Sequence, residues 1–435
     1  MQNFAHEVNM KISKIEYKKL DEVNRMHRFK LEVTPKRQRT ILKPLTWLIS
    51  FFETRKRHLK ITRIGMEGLK KPCLLLCTHH AFVDFKVTTM AIFPHRASYV
   101  VAIDGFINRE MILRNAGGIC KRKFTNDLVL VKHLKKVVND YKDILCIYPE
   151  ARYSIVGTNA ILPESLGKLC KYLDVPVVVL NMHGNHLSSP VWNLQSRNNN
   201  ITADMTQIIT KEEISKLDID TINDRINNAF IYDEYKWQKD NNIIIDNPNR
   251  ARNLHKPLYK CCECGNEEKM TSYGTYLKCN NCNSIWELTT IGELKRIDGK
   301  KARFSHIPDW FEWERSEVRK EIENGNYKFE EDVYIDSLPN SKGFYRLGLG
   351  HVKHDESGFS IKADLEGGNF ELLKDPLSTY SIHIEYDYFG KGDCFSLSTL
   401  NDTYYLFPIN KKNIVTKLHF AAEEMYKFIK NKKKA

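Results

Sequence analysis

A histidine followed five positions later by an aspartate, in Cys77-Thr78-His79-His80-Ala81-Phe82-Val83-Asp84, can form a hydrogen-bonded pair at the mouth of a strand. In such a pair the carboxylate fixes the imidazole tautomer and stabilises the imidazolium, leaving the other ring nitrogen free as a general base. The spacing is a common one, and both histidines also read as satisfied near-surface residues. The cysteines are more specific. Cys261-Cys262-Glu263-Cys264-Gly265 and Cys279-Asn280-Asn281-Cys282 give two Cys-x2-Cys knuckles separated by fourteen residues. Four thiolates held tetrahedrally suit Zn²⁺, and a site filled by protein ligands alone is structural. The expected ligands are Cys261, Cys264, Cys279 and Cys282. Cys262 is spare, because substituting it for Cys261 would shorten the knuckle. An iron–sulfur centre is the metal alternative, but the strand-like flanks Tyr276–Lys278 and Ser284–Leu288 favour a zinc ribbon. Mixed charge around the knuckles (Lys260, Glu263, Glu267, Lys278) suits a structural or protein-contact role better than nucleic-acid binding.

The elements that must position His79 and Asp84 lie between Pro72 and about Asn185. Cys73–Cys77, Ala97–Ile103, Ile144–Tyr148 and Pro176–Leu180 read as buried strands, and Thr125–Tyr141 and Leu162–Leu173 as helices between them. That alternation predicts an α/β domain with a largely parallel sheet. Gly117-Gly118-Ile119-Cys120-Lys121-Arg122-Lys123 is a glycine turn opening onto a basic triplet, and Tyr148-Pro149-Glu150-Ala151-Arg152-Tyr153-Ser154 is a charged loop directly after an apolar strand. Strand C-terminal ends are where α/β domains build ligand sites. Glu150 and Arg152 also read as a structural ion pair, and His183–His186 as a plain loop.

In order and spacing, four blocks resemble the glycerolipid acyltransferase superfamily, the 1-acylglycerol-3-phosphate acyltransferases, over roughly residues 41–205. His79–Asp84 matches its His-x4-Asp block, and Gly117–Lys123 its Gly-x-Ile-Phe-x-x-Arg block. Tyr148–Ser154 matches Phe-Pro-Glu-Gly-Thr-Arg-Ser, and Val175–Val179 matches Val-Pro-Val-Val-Pro. Lys123 stands where the family has Arg, Ala151 replaces the motif glycine, and Arg152 lies two positions after Glu150 rather than three. Val179 replaces the last proline. The resemblance implies O-acyl transfer from an acyl thioester, on CoA or an acyl carrier protein, to the hydroxyl of lysophosphatidic acid or a related lysophospholipid. His79 would be the base, Asp84 its orienting carboxylate, and Arg122, Lys123, Glu150 and Arg152 the acceptor-binding residues. The alternative is a non-catalytic scaffold or nucleic-acid-binding protein on an acyltransferase-like fold.

The whole chain, 435 residues with net charge +13, divides into an N-terminal polar segment (1–40), the acyltransferase-like α/β domain (41–205), and a helical region with linker (206–257). A four-cysteine zinc ribbon (258–290), a helical bridge (291–326) and a β-rich, pleckstrin-homology-like module closed by a C-terminal helix (327–435) follow. Thr210-Lys211-Glu212-Glu213 is a capping box. The positive balance favours anionic partners. Leu45–Phe52 is a Trp/Phe/Leu segment framed by Lys and Arg, which suits an interfacial membrane helix; a core helix with basic ends is the alternative. There is no membrane-spanning apolar run and no signal-peptide core at the N-terminus. The expectation is a cytoplasmic protein held peripherally at an anionic membrane.

Overall fold

The computed structural model describes residues 14–433. Residues 1–13 of the polar N-terminal segment and the last two residues, Lys434 and Ala435, lie outside the described residues. The first sheet has seven strands: β1 (Lys60–Ile64), β2 (Leu74–Cys77), β3 (Ala97–Ala102), β4 (Gly118–Lys121), β5 (Ile144–Ile147), β6 (Val177–His183) and β7 (Thr202–Ile209). Their order is β1-β7-β6-β2-β5-β3-β4. The β6/β7 pair is antiparallel and the others are parallel, so the sheet is mixed but mostly parallel. Leu74–Cys77 and Ile144–Ile147 are buried along their whole length, as expected of central strands covered on both faces. Gly117 opens β4 at φ 89°, and a Cβ there would stand 2.6 Å from the Ala97 carbonyl oxygen, so only glycine fits this turn.

The Thr210 hydroxyl accepts from the Glu213 N–H, while the Glu213 carboxylate accepts from the Thr210 N–H, completing the capping box that opens helix Lys211–Lys216. The segment 241–257 differs from a free linker. It runs in turns whose Ile245, Ala251 and Leu254 are buried, and the Arg250 guanidinium donates to Leu288 O, Asn247 O and Glu287. Apolar residues spaced among its Asn and Pro positions anchor it.

The cysteine module is an antiparallel sheet of β8 (Met270–Tyr273), β9 (Tyr276–Cys279), β10 (Ile285–Leu288) and β11 (Leu294–Arg296), in the order β11-β10-β9-β8. Helix Ile307–Glu323 leads to a seven-stranded antiparallel sheet: β12 (Phe329–Ser337), β13 (Tyr345–Asp355), β14 (Gly358–Leu365), β15 (Gly368–Lys374), β16 (His383–Glu385), β17 (Cys394–Ser398) and β18 (Thr403–Pro408). The order is β15-β14-β13-β12-β18-β17-β16, with the first strand central and helix Ile414–Lys432 last.

These parts share one apolar core. Trp192 and Leu187 from the first unit, Trp286 from the cysteine module, Trp310 from the bridging helix and Phe420 from the last helix belong to the same buried cluster. The N-terminal segment straps the outside. Lys18 N–H donates to Arg346 O, Leu20 N–H to Glu366 O and Phe29 N–H to Pro339 O, all on the C-terminal module. Arg37 then reaches Asp143 of the α/β unit with two bonds of 2.7 and 2.8 Å.

Helix Leu42–Lys56 packs beside helix Asp84–Ile92, with Trp47 against Phe93 at 5.2 Å between ring centroids. Its facing is inverted. Ser50 and Thr54 are buried, their hydroxyls donating to the carbonyls of Thr46 and Ser50. Leu45, Leu48, Ile49 and Phe52 are exposed. No helix among the described residues is long and apolar enough to cross a membrane.

Candidate active site and metal centre

Strand β2 ends at Cys77, and the chain turns through His79 into helix Asp84–Ile92, which delivers Asp84 back to the turn. His79 Nδ1 lies 2.9 Å from Asp84 Oδ2. The carboxylate is fully buried and its oxygens are filled: Oδ2 also accepts from the N–H groups of His80 (2.5 Å) and Ala81 (2.9 Å), and Oδ1 from Asn185 Nδ2 (2.8 Å). A carboxylate oxygen placed against Nδ1 accepts from the ring N–H and so fixes the imidazole with its proton on Nδ1. Nε2 is then the basic nitrogen, and it makes no bond to the described residues. The His79 side chain is 23% exposed, so this nitrogen is open to a ligand. Its ring is bracketed by Tyr148 and Tyr153, at centroid distances of 4.5 and 4.3 Å. The Tyr148 hydroxyl is paired with Thr88 Oγ1 at 2.8 Å.

Glu150 lies beneath this pair rather than beside it. Oε2 accepts from the His79 N–H (2.8 Å), and Oε1 from the Ala160 N–H (2.7 Å) and the Tyr232 hydroxyl (3.0 Å). The family resemblance makes it an acceptor-binding residue; with all its bonds internal, it holds the His79 backbone instead. Burial pushes its carboxyl up to about 7 against these hydrogen bonds. Next to it Ala151 sits at φ 57°, a left-handed conformation that suits the glycine expected by resemblance.

The three cations expected to grip an acceptor phosphate are engaged elsewhere. Arg122 is fully buried, and its guanidinium donates to the carbonyls of Leu338, Pro339 and Asn401 and to the Thr403 hydroxyl, at 2.9–3.0 Å. Arg152 donates to Ser381 Oγ (2.7 Å) and to Glu423 Oε1 (3.0 Å), not to Glu150. Lys123 Nζ is 2.8 Å from His383 Nε2 and 4.0 Å from Asp104 Oδ2. All three therefore face the C-terminal module, whose partners lie too far along the chain for sequence spacing to reveal. Sequence reasoning missed Asn185, Tyr148 and Tyr153. Asn185 follows the carboxyl end of β6, a position where site residues collect in α/β sheets, and that rule was the signal available.

The four cysteines come together as the knuckle spacing expects. Their Sγ atoms all lie within 4.8 Å of one another, with Cys261–Cys282 and Cys264–Cys279 at 3.7 Å. Zinc–sulfur bonds of about 2.3 Å in a tetrahedron put sulfurs about 3.8 Å apart, so the site fits Zn²⁺. Cys262 is buried and outside the group.

No family model matches the chain, and no curated protein sequence matches it. Among solved structures it is similar to the 1-acyl-sn-glycerophosphate (LPA) acyltransferase of Thermotoga maritima. The identity is 11%, 42% of this chain and 76% of that chain are covered, and the TM-score is 0.33.

Two outcomes are expected. Metal analysis of the purified protein gives one zinc per chain, and Cys264→Ser loses it and melts at lower temperature; metal-free wild-type protein would refute the centre. The second concerns Glu150, whose carboxyl is raised from 4.5 to about 7. A raised acid binds its proton more tightly folded than unfolded, so its contribution falls as pH rises from about 4.5 to about 7. Denaturant unfolding across that window should cost the wild type on the order of 3 kcal/mol more than Glu150→Gln. Parallel curves would sink this assignment.

Proposed function

We propose that the protein is an O-acyltransferase that moves a fatty acyl group from an acyl thioester to the hydroxyl of a lysophospholipid. The observation that carries this reading is the His79–Asp84 pair, with Nδ1 bonded to a buried, fully satisfied carboxylate and Nε2 open. His79 Nε2 takes the proton of the acceptor hydroxyl as its oxygen attacks the thioester carbonyl. The C–S bond breaks as the new ester forms, and the imidazolium returns the proton to the leaving thiolate. The attacking hydroxyl belongs to the substrate, so no acyl-enzyme is required. Zn²⁺ in the cysteine module supplies structure only, because all four positions around it are thiolates.

The inverted helix Leu42–Lys56 supports peripheral attachment to an anionic membrane. Its Ser50 and Thr54 face the protein, Leu45, Leu48 and Phe52 face outward, and Phe82 is exposed in the turn between His79 and Asp84. Arg55 and Lys56 at its end would meet anionic headgroups. The strand order of the C-terminal sheet, with its closing helix, supports a pleckstrin-homology-like reading of that module. A non-catalytic scaffold is favoured by one observation, that Arg122 and Arg152 are buried and donate to groups of the C-terminal module.

The deciding assay is acyl transfer from labelled acyl-CoA and acyl carrier protein to a panel of lysophospholipids. His79→Ala should lower turnover by about 10²–10⁴-fold with folding intact; unchanged turnover would remove His79 as the base. Sedimentation with anionic vesicles should weaken when Phe52 or Leu48 is replaced by Glu and as salt rises. Equal binding to neutral vesicles at every salt concentration would count against the electrostatic part.

A further inference from the structure

Tyr153 packs against the His79 ring with its own bonding capacity unspent. Its ring lies 4.3 Å from the His79 ring, and its hydroxyl makes no hydrogen bond to the described residues. Burial raises the phenol, and the negative charges of Asp84, Glu385 and Asp104 raise it further, so the group remains an O–H donor. Beyond it, across the junction with the C-terminal module, lies a half-buried cluster. Lys123 Nζ is paired with His383 Nε2, which also lies 2.9 Å from Glu385 Oε1, and Asp104 accepts from the Tyr388 hydroxyl at 3.3 Å. His383 is held below its ordinary value by burial and by Lys123, and its Nδ1 is buried without a partner. Two carboxylates therefore stand against one ammonium.

A phosphate monoester carries close to two negative charges at neutral pH and needs unpaired cations to replace its water. Arg122 and Arg152 are buried against the C-terminal module, to whose groups they donate, and Lys123 is outnumbered by Glu385 and Asp104. We infer that the acceptor site beside His79 selects a hydroxyl acceptor without a phosphate monoester, a zwitterionic lysophospholipid above all, with Tyr153 donating a hydrogen bond to it and Glu385 and Asp104 repelling a dianion. This rests on the acyl-transfer reading and names the acceptor class for it. It also makes Glu385, from the C-terminal module, a specificity residue for a reaction centred on His79.

The test compares kcat/KM for lysophosphatidylcholine, lysophosphatidic acid and monoacylglycerol in the wild type, Tyr153→Phe and Glu385→Gln. The wild type should prefer lysophosphatidylcholine over lysophosphatidic acid by at least about tenfold. Tyr153→Phe should lower use of the preferred acceptor about tenfold. Glu385→Gln should narrow the ratio between the two lysophospholipids, which a merely structural loss would leave in place. A preference for monoacylglycerol would identify the neutral member of the same acceptor class. Use of lysophosphatidic acid equal to or above the others, or a ratio unmoved in Glu385→Gln, overturns the inference. Should no acceptor turn over, binding of the same three lipids below their micelle concentrations, followed by tryptophan fluorescence, separates the questions. Selective binding of the zwitterionic or neutral lipid that weakens in Tyr153→Phe upholds the site while transfer falls, and equal or absent binding overturns both.

Discussion

A carboxylate removed from water must have its lone pairs filled, and the region around His79 is arranged to do this for Asp84. Two backbone N–H groups, the Asn185 amide and the imidazole itself all converge on it. The backbone donors require the turn from His79 to Asp84 to close tightly at the end of β2. The amide requires β6 to deliver Asn185 from the adjacent strand. Glu150 adds a tether of the same kind, holding the His79 N–H from the loop after β5. Three neighbouring strands thus meet at one imidazole, and the orientation of that ring is a property of the sheet rather than of a flexible side chain.

Burial of charge governs the junction between the units as well. Glu423 on the last helix is fully buried; burial opposes its ionisation, but His419, Arg152 and Arg315 outweigh this and hold its carboxyl well below its ordinary value. Arg152 comes from the loop after β5 and Arg315 from the bridging helix, so one carboxylate fastens three parts of the chain. Losing a single partner of such a group strands the others without solvent, which makes the junction rigid. The apolar core running from Trp192 through Trp286 and Trp310 to Phe420 lies along the same line.

Much of the scaffold was legible. The apolar runs at Leu74–Cys77, Ile144–Ile147 and Val177–Leu180 are strands because only fully covered strands tolerate such composition. The Thr210 capping box and the cysteine knuckles carry their geometry in short spacings. What stayed hidden depends on distance along the chain. Arg122 finds its acceptors more than two hundred residues away, and Arg152 finds Glu423 at a separation of 271. A motif can name such a residue but cannot say what neutralises it. The facing of helix Leu42–Lys56 was similarly hidden, since periodicity separates two faces without telling which one the protein covers. Asn241–Pro257 reads as a linker because its Asn and Pro content outweighs its few apolar anchors.

The engagement of Arg122 has a consequence for the order in which the chain is made. The guanidinium belongs to the first half of the sequence, yet every group that satisfies it, from Leu338 to Thr403, leaves the ribosome much later. The N-terminal strap waits similarly, because its acceptors at Pro339, Arg346 and Glu366 do not exist while the α/β unit is emerging. During synthesis the nascent α/β unit therefore presents an open face with a charged group in place of a finished wall. Chain completion acts as the closing step of assembly, and a truncated product would expose the surface that chaperones and proteases read as unfinished.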